Sequence, residues 1–147
     1  MSFYLTQSLR RALQQKPDAI ATAFCGRHQT WAQFGDRVAR FAAVLRDHGV
    51  RGGERVALMA LNSDRYLEYY FAVWWAGGVV NPVNIRWSNA EVAFSLDDCE
   101  TAILIVDDAF KANAGPLRAL SKALRTVIYC GDGQAPEGVL SLEALLS

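Results

Sequence analysis

Arg86 stands in the stretch NPVNIRW, residues 81–87, directly after the apolar run YLEYYFAVWWAGGVV. Its planar, permanently charged guanidinium offers paired donors suited to a phosphate. Pro82 removes a ladder donor and the flanking asparagines favour a turn, so a strand ends here. The exits of strands in a parallel sheet are where ligands bind, which makes Arg86 a candidate phosphate-binding residue. The ordinary alternative is a surface ion pair with Glu91 or another nearby carboxylate.

Other residue types that could do chemistry have less context. Asp97–Asp98 and Asp107–Asp108 suggest acid–base or metal chemistry, but each pair falls where a helix or strand ends, and carboxylates are ordinary there. His28 falls in an expected hairpin turn and His48 in the last turn of a helix, with no nucleophile close in sequence. The glycine-rich stretches HGVRGGER and CGDGQ lack the strand–loop–helix context of a phosphate cradle and read as turns. Cys25, Cys99 and Cys130 are three and widely spaced, which fits free thiols in a reducing cytoplasm rather than a disulfide framework. No residue spacing supports a metal site. The aromatics between Tyr66 and Trp75 suit core or interface, and less readily a ligand tunnel.

The elements that would position these residues can be read in order. Leu5, Leu9 and Leu13 mark a short amphipathic helix, ended by Lys16–Asp18. Ala19–Phe24 reads as a strand and CGRHQ as a turn. Thr30 and Gln33 have capping-box spacing before the apolar series Trp31, Phe34, Val38, Phe41, Leu45, and Gly49 stops that helix. A strand is expected over Arg55–Leu61 and a helix over Asp64–Ala76, apolar nearly all round its second half and therefore buried on more than one side. Val79–Val80 begins a short strand, and Ser88 with Glu91 forms a second capping box. TAILIVDD has the continuous apolar character of a buried parallel strand. Residues 109–124 look helical but broken near Gly115–Pro116. TVIYC is a last strand, and SLEALLS starts another helix.

Alternating strands and helices with short connections predict one α/β domain over residues 1–147, a mostly parallel sheet with helices on both faces. Fifteen basic residues balance fifteen acidic ones without runs of either sign, so nucleic acid is not an expected partner. The stretch Tyr66–Val80 is too short and interrupted for a transmembrane segment, and the first residues do not read as a signal peptide.

Taken in order, KPDAIA, TWAQFGDRVARFAAVLRDHGVRGGERVALMALNS, YFAVWWAGGVVNPVNIRWSNAEVAFSLDD and AILIVDD resemble the beginning of the adenylate-forming acid–CoA ligases, the AMP-binding acyl-CoA synthetases. The likeness covers residues 17–108. It implies that the chain is the N-terminal portion of a larger ligase domain. The parent enzyme would activate a carboxylic acid, a fatty acid by expectation, with Mg-ATP to an acyl-adenylate and pass it to CoA. The family's Ser/Thr/Gly-rich phosphate loop and catalytic lysine have no counterpart in these residues, so the chain alone is expected to be inactive and to bind no cofactor by itself. The resemblance also places Arg86 near the phosphates of CoA's nucleotide end. Val83 and Trp87 depart from the family's commoner residues there. Other adenylate-forming enzymes, such as peptide-synthetase adenylation domains, share this beginning, and a stand-alone binding or interaction module is the alternative from another class. Uncovered apolar surface leads to an expected homo-oligomer, with the Tyr69–Trp75 helix or a sheet edge as its surface.

Overall fold

In a computed structural model, which describes residues 4–147, five parallel strands form the centre of the protein. They are β3 (Arg55–Met59), β4 (Val79–Pro82), β5 (Ile103–Val106), β6 (Thr126–Tyr129) and β7 (Leu140–Ser141), in the spatial order β4-β3-β5-β6-β7. Before them come α1 (Gln7–Gln15), a hairpin of β1 (Ile20–Phe24) and β2 (Arg27–Thr30), and α2 (Trp31–Asp47). The crossovers are α3 (Asp64–Ala76), α4 (Asn89–Asp98) and α5 (Ala114–Leu120), and α6 (Leu142–Leu146) follows β7.

The period of two along the strands sorts the core into two layers. Val56, Leu58, Ile103, Ile105 and Ile128 pack against α2, α3 and α6. Ala57, Met59, Leu104, Val106 and Val127 pack against α4 and α5 on the other face. A third cluster, Leu9, Phe34 and Val38, seats α1 and the hairpin on the outside of α2. Both faces are therefore covered, as continuous apolar strands require.

Both capping boxes form. Thr30 and Gln33 exchange side-chain and backbone hydrogen bonds at the start of α2, and Ser88 and Glu91 do so at α4. Ser63 caps α3, and Gly77 ends it in the left-handed conformation that glycine adopts without cost.

Four expectations need correction. Arg27–Thr30 is a strand, not a turn: Cys25 and Gly26 both take positive φ and close a two-residue hairpin, which places His28 in β2. The strand from Arg55 ends at Met59, because the Leu61 amide leaves the ladder for the Asp107 carboxylate. Gly115–Pro116 does not break a helix; Pro116 sits in the first turn of α5, where its missing N–H has no partner to lose. The break lies earlier, in a 3-10 turn over Lys111–Asn113. Finally, Tyr69, Ala72 and Val73 are fully buried beneath α2, which withdraws them from the expected α3 association surface, while Tyr70, Phe71, Trp74 and Trp75 stay half-buried.

Tyr69 does more than fill space. Its hydroxyl donates to the Val56 carbonyl at 2.6 Å and accepts from the Asn81 amide at 2.9 Å, tying β3 to β4 from below. Burial raises its pKa, so it stays a neutral donor. Tyr69→Phe should keep the packing and leave two buried backbone groups without this partner, a loss of about 1–3 kcal/mol in urea unfolding; an unchanged midpoint would show the hydroxyl to be dispensable.

Candidate functional site

The strand order dictates where a site can form. The connection from β3 to β4 runs one way along the sheet through α3; the chain then crosses β3 and continues through β5, β6 and β7 the other way, with α4 and α5 on the opposite face. The direction reverses between β3 and β5, so the loops leaving their C-terminal ends diverge and open a crevice. It has a volume of about 270 Å³. Leu61–Ser63 line it after β3, Asp107–Ala109 after β5 and Cys130–Asp132 after β6, and Phe24 and Arg27 reach over from the hairpin.

Most charged groups at this edge already have partners. The Asp107 carboxylate accepts from the amides of Leu61, Ala109 and Phe110, stapling the two lips of the crevice together. Asp108 accepts from the Tyr129 hydroxyl at 2.6 Å, from Lys111, and from the amides of Asp132 and Gly133. The Tyr129 hydrogen bond, ahead of the others, holds the Asp108 carboxyl down at about 2, while burial and Asp108 itself push the Tyr129 phenol up to about 12. CGDGQ is thus a turn whose backbone amides are occupied by an internal carboxylate. A Cβ at Gly131 or Gly133 would collide with Asp108, which accounts for both glycines. Burial pushes the Cys130 thiol up to about 12, away from nucleophilic use. Asp97 accepts from the Ser121 hydroxyl and the Lys122 and Ala123 amides. Neither aspartate pair stands as an acid–base couple.

Beneath the crevice lies a buried charge cluster that sequence reasoning missed. Glu68, with no exposed surface, accepts from Arg37, Arg65 and Gln29 at 2.8–3.1 Å. Asp64 takes two hydrogen bonds from Arg27, whose third nitrogen reaches Asp132 beside the crevice. Glu143 of α6 pairs with Arg37 and Arg65. Burial alone would raise Asp64, but the Arg27 hydrogen bond and the charges of Arg65 and Arg27 outweigh it and hold the carboxyl below 3.8. Arg37 lowers Glu143 likewise below its ordinary 4.5. The i,i+3 spacing of Arg65 and Glu68 was the available signal; the partners at 27, 29, 37 and 143 are remote in sequence.

Arg86 lies one strand over, at the exit of β4. The Val83 amide closes onto Leu58, and the Asn84 side chain and carbonyl accept from the amides of Arg86 and Trp87, making a tight turn. Glu91, the expected surface partner, is engaged by the Ser88 amide and hydroxyl. Among the described residues Arg86 is exposed and forms no ion pair. Its guanidinium is uncommitted, whereas Arg27, Arg37 and Arg65 are tied to carboxylates.

Against known proteins, the family of AMP-binding enzymes matches residues 9–144. The chain belongs to that family. A 2-succinylbenzoate–CoA ligase of Arabidopsis thaliana is 37% identical over 105 residues, 71% of this chain and 19% of the relative. A long-chain-fatty-acid–CoA ligase of Thermus thermophilus is 35% identical over 117 residues, 80% of this chain and 21% of the relative. Among solved structures, the anthranilate CoA ligase AuaEII in complex with anthranoyl-AMP superposes with a TM-score of 0.90 at 25% identity, over 98% of this chain and 28% of that one. The chain therefore spans about a fifth of the length of the curated relatives it matches, and its α/β fold is that of the N-terminal domain of adenylate-forming ligases.

The charge cluster and the Asp108 turn each carry a testable consequence. Glu68→Ala strands two arginines and a glutamine, at a cost of about 3–5 kcal/mol. Asp36→Ala, which breaks the exposed pair with Arg40, costs under about 1 kcal/mol; equal losses in urea melts would deny the cluster its role. Asp64, Glu143 and Asp108 all titrate lower in the folded protein than unfolded. Their contribution is complete above the unfolded carboxylate values and is lost as pH falls through the folded ones. The urea midpoint should be flat from about pH 8 to 5 and decline below about 4.5; a decline confined to neutral pH would contradict the assignment.

Proposed function

We propose that this chain is the N-terminal part of an AMP-forming acid–CoA ligase, in which a carboxylic acid and Mg-ATP give an acyl-adenylate and pyrophosphate, and CoA then displaces AMP. Membership of the AMP-binding family over residues 9–144 carries the reading, with a named acid–CoA ligase for each relative described above. A fatty acid is the substrate class we favour, on the strength of the Thermus relative, which matches 80% of this chain. A cytoplasmic setting belongs to the same proposal, supported by three free thiols at separate elements.

Adenylyl transfer depends on positioned cations and amides that neutralise developing charge. In this chain the arginines of the buried cluster are paired with carboxylates, although Arg65 Nε keeps no partner, and the amides of Asp132 and Gly133 are taken up by Asp108. The group we assign to substrate is Arg86, an exposed guanidinium on a turn at the C-terminal edge of the sheet. CoA supplies the acceptor thiol, and phosphates at its nucleotide end suit the planar fork of Arg86. The residue would bind and orient CoA without touching the adenylation step.

In a ligase carrying this segment, Arg86→Ala should raise the KM for CoA about tenfold, the worth of one charge-assisted contact. Acid-dependent pyrophosphate release, screened over fatty and aromatic acids, should be unchanged. Slowed adenylation with an unaltered KM for CoA would return Arg86 to a structural role, and no acid-dependent release with any acid would overturn the ligase reading.

A further inference from the structure

Helix α4 buries Val92, Ala93 and Leu96 against the sheet, yet its outer face is not polar. Phe94 is 72% exposed and Trp87, just before the helix, is 41% exposed. Together with Ala90 they line a groove of about 580 Å³, rimmed by Glu91, Ser95 and Asp98. These positions recur at intervals of three and four, so the groove runs along the helix for about 12 Å, or two turns. Every ionisable residue of α4 is acidic (Glu91, Asp97 and Asp98). Asp97 is turned to α5, where it caps the segment after that helix. Glu91 and Asp98 remain on the groove, and the Ser88 amide and hydroxyl keep Glu91 ionised.

We infer that this groove is a docking surface for a basic amphipathic helix of another protein, with aliphatic side chains seated between Trp87 and Phe94 and lysine or arginine against Glu91 and Asp98. The charge pattern selects this occupant. A second copy of the chain, packed α4 against antiparallel α4, would bring Glu91 of one copy towards Asp98 of the other, and like charges so placed repel. Anionic partners are repelled in the same way. A short apolar stripe framed by carboxylates complements a helix with apolar anchors at i and i+4 and cations on either side. The inference goes beyond the ligase reading and uses residues other than Arg86, which does not line the groove.

The test titrates the chain into a fluorescently labelled Leu/Lys helical peptide of about 14 residues, enough for the two turns of the groove, and follows anisotropy. Saturable one-to-one binding is expected. Phe94→Ser should weaken it at least about tenfold, the scale of an aromatic anchor. Asp98→Asn and raised salt should each weaken it about two- to fivefold, and a Leu/Glu peptide should not bind. Phe94 is exposed, so circular dichroism should show the variant folded. Ile20→Ser, which removes another exposed apolar side chain, on the hairpin, should leave affinity unchanged. Equal affinity in wild type and Phe94→Ser, or binding of the Leu/Glu peptide, would overturn the proposal. So would a dimer in sedimentation that Phe94→Ser abolishes in a chain that ignores the Leu/Lys peptide, since that would assign the face to a second copy.

Discussion

The carboxylate of Glu68 is the constraint around which the first half of the protein is arranged. A charge with no exposed surface is tolerable only with full hydrogen bonding, because desolvation is costly and the low-dielectric surroundings magnify any unmet demand. Arg37 brings α2 to it, Gln29 brings the hairpin, and Arg65 holds it within α3. Glu143 then draws in α6 through the same two arginines. Four elements, from the hairpin near the start to α6 at residues 142–146, are thus fixed by one neutralised cluster, and the apolar contacts of α2 with α3 fill the space around it. The hairpin, too short to be stable alone, is held by Arg27 to both Asp64 and Asp132.

That arrangement explains what could be read from the sequence and what could not. The parallel sheet was legible because Val56–Met59, Ile103–Val106 and Val127–Tyr129 are continuous apolar runs, the mark of strands covered on both faces. The starts of α2 and α4 were legible because a capping box is a local exchange over three residues. The cluster was not, because nothing at residues 27, 29 or 37 distinguishes a buried polar side chain from a solvated one until the chain has folded. The second hairpin strand was missed for a related reason: RHQT is polar, and its pairing with β1 follows from two positive φ values at Cys25 and Gly26 rather than from apolar alternation.

Arg86 is proposed as a binding residue from its place after Pro82 and from family resemblance. The geometry adds that it is uncommitted, while the arginines drawn into the buried cluster are not. The crevice at the sheet's reversal point was not legible, because it is made of three loops whose convergence depends on strand order. Its aspartates, conspicuous as pairs in the sequence, turn out to be satisfied by amides and a phenol. The fold and family are thus better encoded locally than the chemistry is.

The close fit of Gly131 and Gly133 around Asp108 has a consequence for how this sequence can drift. Residues 108, 129, 131 and 133 share one small volume: the carboxylate fills the space that a side chain at either glycine would need, and the phenol and two amides are its donors. A side chain larger than hydrogen at 131 displaces the carboxylate and strands the donors. Losing the carboxylate relieves only part of the clash, because the Tyr129 hydroxyl still lies 2.5 Å from a Cβ at 131 and 3.0 Å from one at 133. Along a lineage the four positions are therefore expected to covary: chains keeping Asp108 and Tyr129 keep both glycines, and a side chain at 131 needs both the carboxylate and the phenol to give way.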